Sequence, residues 1–263
     1  MEKIVIITGG SSGIGLETAK RLAAAGCRVY ELSRREAEFD FMSHIRVDIA
    51  DSEAVRAAVD GVVAREGRVD VLINNTGMGI SGAFEFTEER AARRLMDVNL
   101  FGMNNTIRAV LPHMRAAGCG RIVNLSSVAG PLPIPFQAWY SISKAAVNAL
   151  TMSVANEVRP FGITVCCVMP GDIRSGFTAA RCKSAVGDDV YSGRISRSVS
   201  RMERDEQGGM SPAVAGRFIA RLALKKRVKP YNTIGVVYKG CILLSKILPG
   251  PLIRFILEKM YAQ

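Results

Sequence analysis

Short apolar runs alternate with helically spaced segments along the first two-thirds of the chain. Lys3–Thr8 (KIVIIT), Arg28–Leu32, His44–Val47, Val69–Ile73, Arg121–Leu125 and Ile163–Val168 read as strands. Between them, Gly15–Ala25, Ser52–Arg65, much of Glu88–Ala117, and Ser141–Val158 repeat apolar residues at helical intervals. Gly26 ends the first helix, and Asp51 or Ser52 caps the second. Strands that are apolar on both faces and joined by helices predict a parallel sheet covered on both sides. The fold class is α/β, a doubly wound Rossmann-type sheet of about seven strands.

After Pro170 the pattern changes. Arg174–Met210 is polar, rich in Gly, Ser and Arg, and reads as a loop or mobile lid over about 175–210. Ser211–Leu224 reads as a helix with Ser211 as cap and Pro212 in the first position. Lys225–Lys229 is a basic cluster, and Asn232–Val237 a last strand. Cys241–Met260 is apolar but broken by Lys246, Pro249-Gly-Pro251 and Arg254. No repeat or linker divides the chain, so residues 1–263 form one domain with a C-terminal extension over about 225–263.

The net charge of +11 sits in the last third. Residues 1–171 carry 18 Lys+Arg against 17 Asp+Glu, and residues 172–263 carry 17 against 7. Basic residues interleaved with exposed aromatics, or a binding motif, would mark a nucleic-acid partner, and neither is present. An acidic ligand or an anionic membrane surface fits better. The six cysteines lack metal-ligand or disulfide-framework spacing, and His44 and His113 lie outside every motif, so no metal is expected. The first strand begins at Lys3, which leaves no room for a signal peptide, and no apolar run reaches membrane-spanning length. A cytoplasmic protein with reduced thiols, peripheral at a membrane surface if at all, is expected.

Three segments carry candidate chemistry. The first strand runs into Thr8-Gly9-Gly10-Ser11-Ser12-Gly13-Ile14-Gly15, and a helix follows. Glycines there admit a pyrophosphate close to the backbone, and the helix N-terminus supplies N–H groups and positive dipole. The second strand ends in Ser33-Arg34-Arg35, where a carboxylate would favour NAD. Guanidiniums pair with phosphate, so NADP(H) is expected over NAD(H). Glu31 is the residue able to reverse this, and strand alternation turns it away from Leu32 and Arg34. Finally, Tyr140 and Lys144 lie one helical turn apart, thirteen residues beyond Ser127. An ammonium on the same face is expected to lower the phenol pKa and fit it for proton transfer to a carbonyl oxygen.

In this order the segments resemble the short-chain dehydrogenase/reductase family over residues 3–175. Thr8-Gly9-x-x-x-Gly13-x-Gly15 resembles its coenzyme turn, and Asp48-Ile49 the pair that holds the adenine. Asn74-Asn75-Thr76-Gly77 resembles its N-N-A-G, with Thr for Ala. Asn99, Ser127, Tyr140 and Lys144 match its catalytic positions, with Ser126 a neighbouring alternative to Ser127. Pro170-Gly171-x-Ile173-x-Ser175 resembles the segment beside the nicotinamide, with Ser for Thr. The resemblance implies Tyr140 as acid or base, Lys144 on the nicotinamide ribose, and Ser127 on the substrate oxygen. It also implies that Asn99 holds a water extending a proton relay from Lys144.

The last third resembles the steroid- and lipid-reducing branch of that family, in Ser211-Pro-x-x-Val-Ala, the following helix and the basic cluster. Met78, Ile80, Phe136, Trp139 and Phe177 are candidates for an apolar wall. A small hydrophobic ketone or alcohol is the expected substrate. A 3-oxoacyl thioester reductase and a non-catalytic cofactor-binding protein are the alternatives. The family usually forms homodimers or homotetramers. The C-terminal segment reads as a membrane or substrate cover, or as an oligomer interface.

Overall fold

The computed structural model describes residues 2–262. Its main sheet runs β3-β2-β1-β4-β6-β7-β9, parallel throughout. The strands are β1 (Ile4–Thr8), β2 (Arg28–Ser33), β3 (Ser43–Arg46), β4 (Val71–Asn74), β6 (Gly120–Leu125), β7 (Ile163–Met169) and β9 (Tyr231–Thr233). Alternation sorts their side chains between two layers. Ile4, Ile6, Leu72 and Ile122 face α2 (Ser52–Glu66), α4 (Gly102–Ala117) and α5 (Ala138–Val158). Val5, Ile7, Ile73 and Val123 face α1 (Gly13–Ala24) and α8 (Pro212–Leu224). Strand order reverses between β1 and β4, and doubly wound sheets bind ligands beyond the strand ends at such a point.

A buried polar chain crosses the sheet centre. Thr106 Oγ1 donates to Asn74 Oδ1, Asn74 Nδ2 to Asn124 Oδ1, and Asn124 Nδ2 to Thr151 Oγ1. Every partner is buried and engaged, so the chain fixes the register of β4 against β6 and of both against the helices. Between α3 (Glu89–Met96) and α4 the helix widens into one π turn, Asp97–Phe101, which contains Asn99. Such bulges concentrate at functional sites.

Two expectations are corrected. The lid region holds α6 (Phe177–Ala180), β8 (Cys182–Lys183) and a fourteen-residue helix, α7 (Arg194–Gln207). The inner face of α7 rests on Ile195, Ser198 and Met202 alone, which arginines hide in the linear pattern. Its first turn is held by Asp188, whose carboxylate accepts from Ile195 N, Ser196 N and Ser196 Oγ. β8 also pairs with β5 (Ile80–Ser81), tying the lid to the body. The last strand stops at Thr233, because Gly235 takes φ 93° and opens α9 (Val236–Ser245), which α10 (Gly250–Tyr261) follows.

Candidate active site

The glycine turn closes β1 and opens α1 at the switch point. Gly9 and Gly13 have φ of 65° and 54°, values that L side chains resist. At Gly15 a Cβ would stand 2.2 Å from Gly9 O. Asn75 Nδ2 donates to Thr8 O at 3.1 Å and Gly9 O at 2.8 Å, while Thr8 Oγ1 accepts from Asn75 N and Thr76 N. The side chain of Ser12 leaves the first turn of α1 uncapped, so its N–H groups face the cleft. The buried Thr76 hydroxyl lies beside Gly9 and has no hydrogen-bond partner. A pyrophosphate with its ribose supplies acceptors for both sets of donors, so these residues fit a dinucleotide.

Farther along the sheet edge, Arg34 and Arg35 are exposed beside the half-buried Ser33. Asp48 accepts from Ala50 N at 3.0 Å and from Arg94 Nη2 at 2.9 Å. The Ile49 side chain is buried against Gly102, which leaves only its backbone for an adenine. Glu31 is wholly buried and turns, as expected, from Leu32 and Arg34. Its carboxylate accepts from Gly10 N, Ser33 Oγ and His44 Nδ1 at 3.0, 3.2 and 2.5 Å, and so is occupied within the fold.

At the other end, β6 and α5 bring Ser127, Tyr140 and Lys144 together. Ser127 Oγ accepts from Ala129 N at 3.1 Å, and its hydroxyl lies close enough to the Tyr140 phenol to draw the phenol pKa down. Lys144 Nζ lies 5.7 Å from the Tyr140 ring centroid and donates to Leu125 O at 2.9 Å. Ser126, the neighbouring alternative, donates instead to Lys144 O and is buried. Asn99 brackets Met78, accepting from its N and donating to its O, and its second N–H goes to Ser143 Oγ. A Cβ at Gly77 would stand 3.3 Å from Asn99 Oδ1 and 3.6 Å from Lys144 Nζ, so these groups surround one spot. Ser175, in the Pro170-Gly171 segment, reaches back to within 3.8 Å of a Cβ at Gly13. Val128 N anchors Pro170 O, and Ile173 is buried and bridged to Met210.

The apolar candidates divide. Phe177 faces the Tyr140 ring, 5.9 Å between centroids. Trp139 stacks on Phe84, and Phe136, at φ 58°, meets Tyr191 edge-on. These two pack beside Ile80 and Thr87 and leave no space between them that a water could enter. Among the described residues no cluster of His, Cys, Asp and Glu can hold a metal ion.

The short chain dehydrogenase family profile matches residues 3–185. The chain belongs to this family. A 3-ketodihydrosphingosine reductase of Bacteroides thetaiotaomicron is 39% identical over 99% of this chain and 98% of its own. Human 17-beta-hydroxysteroid dehydrogenase type 1 is 35% identical over 66% of this chain and 58% of its own. A short-chain dehydrogenase from Streptomyces avermitilis superposes with a TM-score of 0.81 at 31% identity, covering 98% of this chain and 95% of that one. Short-chain dehydrogenases bind a nicotinamide cofactor and act as oxidoreductases at CH–OH or ketone groups.

In this short-chain dehydrogenase the electrostatics correct one expectation. Burial pushes the Tyr140 phenol up to about 12, against the pull of Ser127 and of Arg181. Burial likewise lowers Lys144 to about 8. Desolvation outweighs charge coupling here because Lys144 is buried, the Tyr140 ring is half-buried, and the ammonium is turned toward Leu125 O. Both amide N–H groups of Asn99 are taken by Met78 and Ser143, so a relay water would be held by another atom of this residue. Sequence reasoning missed Ser143, which links Asn99 to Tyr140 O, and Arg181, whose charge reaches Tyr140 from the lid. Ser143 had a signal, its place one turn after Tyr140. Arg181 had none among so many arginines.

Proposed function

We propose that the protein is an NADP(H)-dependent reductase of a long-chain lipid ketone. The observation that carries this is the convergence of Ser127 and Lys144 on the Tyr140 ring, beside the uncapped glycine turn. A bound nicotinamide supplies the hydride. Tyr140 holds its proton at neutral pH and donates it to the carbonyl oxygen, which favours the direction of reduction. Ser127 orients that oxygen by a second hydrogen bond. Lys144 binds the nicotinamide ribose. Asn99 is a positioning residue, holding Met78 and Gly77 against the cofactor face. Gly9, Ser11, Ser12, Gly13, Ile14 and Gly15 take the pyrophosphate at the start of α1. Arg34 and Arg35 take the 2′-phosphate.

The lipid class is supported by the 39% identity, over nearly the whole chain, to a 3-ketodihydrosphingosine reductase. Phe177 against Tyr140 gives the reacting carbon an apolar neighbour. The test is NADPH oxidation against sphingoid, steroid, retinoid and acyl-thioester ketones, with Tyr140→Phe beside the wild type. The variant is expected to fold, bind NADPH and lose roughly 10²–10⁴-fold in kcat on the accepted ketone. Wild-type kcat in the variant overturns the role of Tyr140, and preference for an acyl thioester overturns the substrate class.

A further inference from the structure

Each C-terminal helix carries two apolar faces. On α9 the inward face is Tyr238, Ile242 and Ser245, spaced by three and four residues. Opposite stand Val236, Val237, Leu243, Leu244 and Ile247, exposed by 85, 74, 60, 53 and 70%. On α10 the inward face is Ile253, Leu257 and Tyr261. Its outer side presents Leu252, Phe255, Ile256 and Met260, exposed by 43, 54, 40 and 44%. A helix packed on a globular body needs one apolar stripe. Apolar side chains so dense on the solvent side mark an interaction surface.

Charge decides the occupant. Lys239 and Lys246 lie along one edge of the outer stripe of α9; on α10, Lys259 stands within the outer stripe and Arg254 flanks the inner face, and both are exposed. Lys259 Nζ stands 5.7 Å from the Phe255 ring centroid, its stem over apolar surface. Glu258 is the one carboxylate side chain in residues 236–261. A second copy docked through a twofold would set these cations against themselves with Glu258 as their main relief. An anionic bilayer takes both the apolar side chains and the surrounding cations.

We infer that the outer faces of α9 and α10 dock on an anionic lipid surface and hold the cofactor-binding body against it. The helices are joined to the site. The Tyr238 ring lies on Gly171, and its hydroxyl donates to Asp172 Oδ2 at 2.5 Å, inside the segment that runs from Pro170 to Ser175. Ile234 N donates to Met169 O just before it. A membrane under α9 therefore lies next to the substrate side of the cleft. The docking itself needs no catalysis. Its use in fetching a lipid ketone rests on the function proposed above.

The experiment is co-sedimentation with vesicles of phosphatidylglycerol and phosphatidylcholine, or of phosphatidylcholine alone, with solution mass measured alongside. Wild type and Tyr140→Phe are both expected to pellet with anionic vesicles at low salt. Release is expected at about 0.5 M salt, where the Debye length is roughly 4 Å. Lys239→Glu/Lys246→Glu and Leu244→Glu/Ile247→Glu change exposed positions and are expected to keep the fold by circular dichroism, with binding reduced roughly tenfold or more. Wild type left in the supernatant with anionic vesicles overturns the inference. So does Leu244→Glu/Ile247→Glu if it halves the solution mass and leaves vesicle binding intact, since the face would then belong to a second copy. Activity on a water-soluble ketone reports the proposed reaction separately, so the two ideas fail independently.

Discussion

The body up to Ser175 and the last third use polar side chains in opposite ways. In the body, Thr8, Asn75, Asn99 and Lys144 turn inward and bond the backbone of neighbouring loops. In the last third, Lys239, Lys246, Arg254 and Lys259 turn outward among exposed apolar residues. A side chain that holds a particular carbonyl or N–H tolerates few replacements, because its loss leaves a buried group unpaired. A cation beside an apolar face only needs to be a cation. The first region is therefore written in fixed motifs and the second in composition.

The largest effect that could break this contrast is electrostatic. Burial lowers Lys144 to about 8 from its ordinary 10.5. Below pH 8 the folded chain bears the full cost of a buried ammonium. Between pH 8 and 10.5 the unfolded chain binds more protons than the folded one, so stability rises with pH. Against a Lys144→Met variant, cofactor-free wild type is expected to gain up to about 3 kcal/mol across that window, measured by urea unfolding. Tyr140, raised to about 12, opposes the trend only above pH 10 and is common to both proteins. Parallel curves for the two proteins would mean that Lys144 is solvated, and that the inward-facing half of the contrast does not hold at its centre.

The same distinction sets what was legible beforehand. The parallel sheet and the glycine turn follow from periodicity and spacing, because each depends on backbone geometry that few residues satisfy, whereas the choice of Ser127 beside Tyr140 and Lys144 rests on the family resemblance. The direction of the Tyr140 shift did not follow, because spacing shows that Lys144 shares a face with Tyr140 but not that Leu125 O accepts a hydrogen bond from its ammonium. Helix α7 was hidden because only Ile195 and Met202 give it apolar anchors, and its Asp188 cap lies six residues upstream of Arg194. The interrupted segment Cys241–Met260 showed its helices only once Gly235 and Pro249 were seen to open them.

A smaller effect sharpens the contrast within the cofactor end. Arg34 and Arg35 are exposed like the cations of the last third, but they stand beside fixed groups, Ser33 and Asp48. Arg34 is close enough to help keep the Asp48 carboxyl below its ordinary range, against the opposing push of burial. If Arg34 reads a 2′-phosphate, Arg34→Ala is expected to raise KM for NADPH roughly 10–100-fold, the worth of a charge-assisted hydrogen bond, and to leave KM for NADH unchanged. An equal rise for both cofactors would assign Arg34 to general attraction, as in the last third.

The smallest effect lies where the two regions meet. Burial raises the Asp172 carboxyl above its ordinary range, and the Tyr238 hydroxyl pulls it down. Tyr238→Phe removes that donor and keeps the ring on Gly171. The bond favours the ionised carboxylate, so its loss is expected to cost about 1 kcal/mol at neutral pH. The cost should fade as acid protonates Asp172 in both proteins, since a raised carboxylate pKa is a penalty on the ionised form alone. Urea midpoints of wild type and variant should thus converge as pH falls from 7 toward 4. A gap that stayed constant would mean that Tyr238 holds α9 through packing alone. Helix α9 would then be a neighbour of the active-site segment with no polar link to it, and the two regions would be more separate than the hydrogen bond implies.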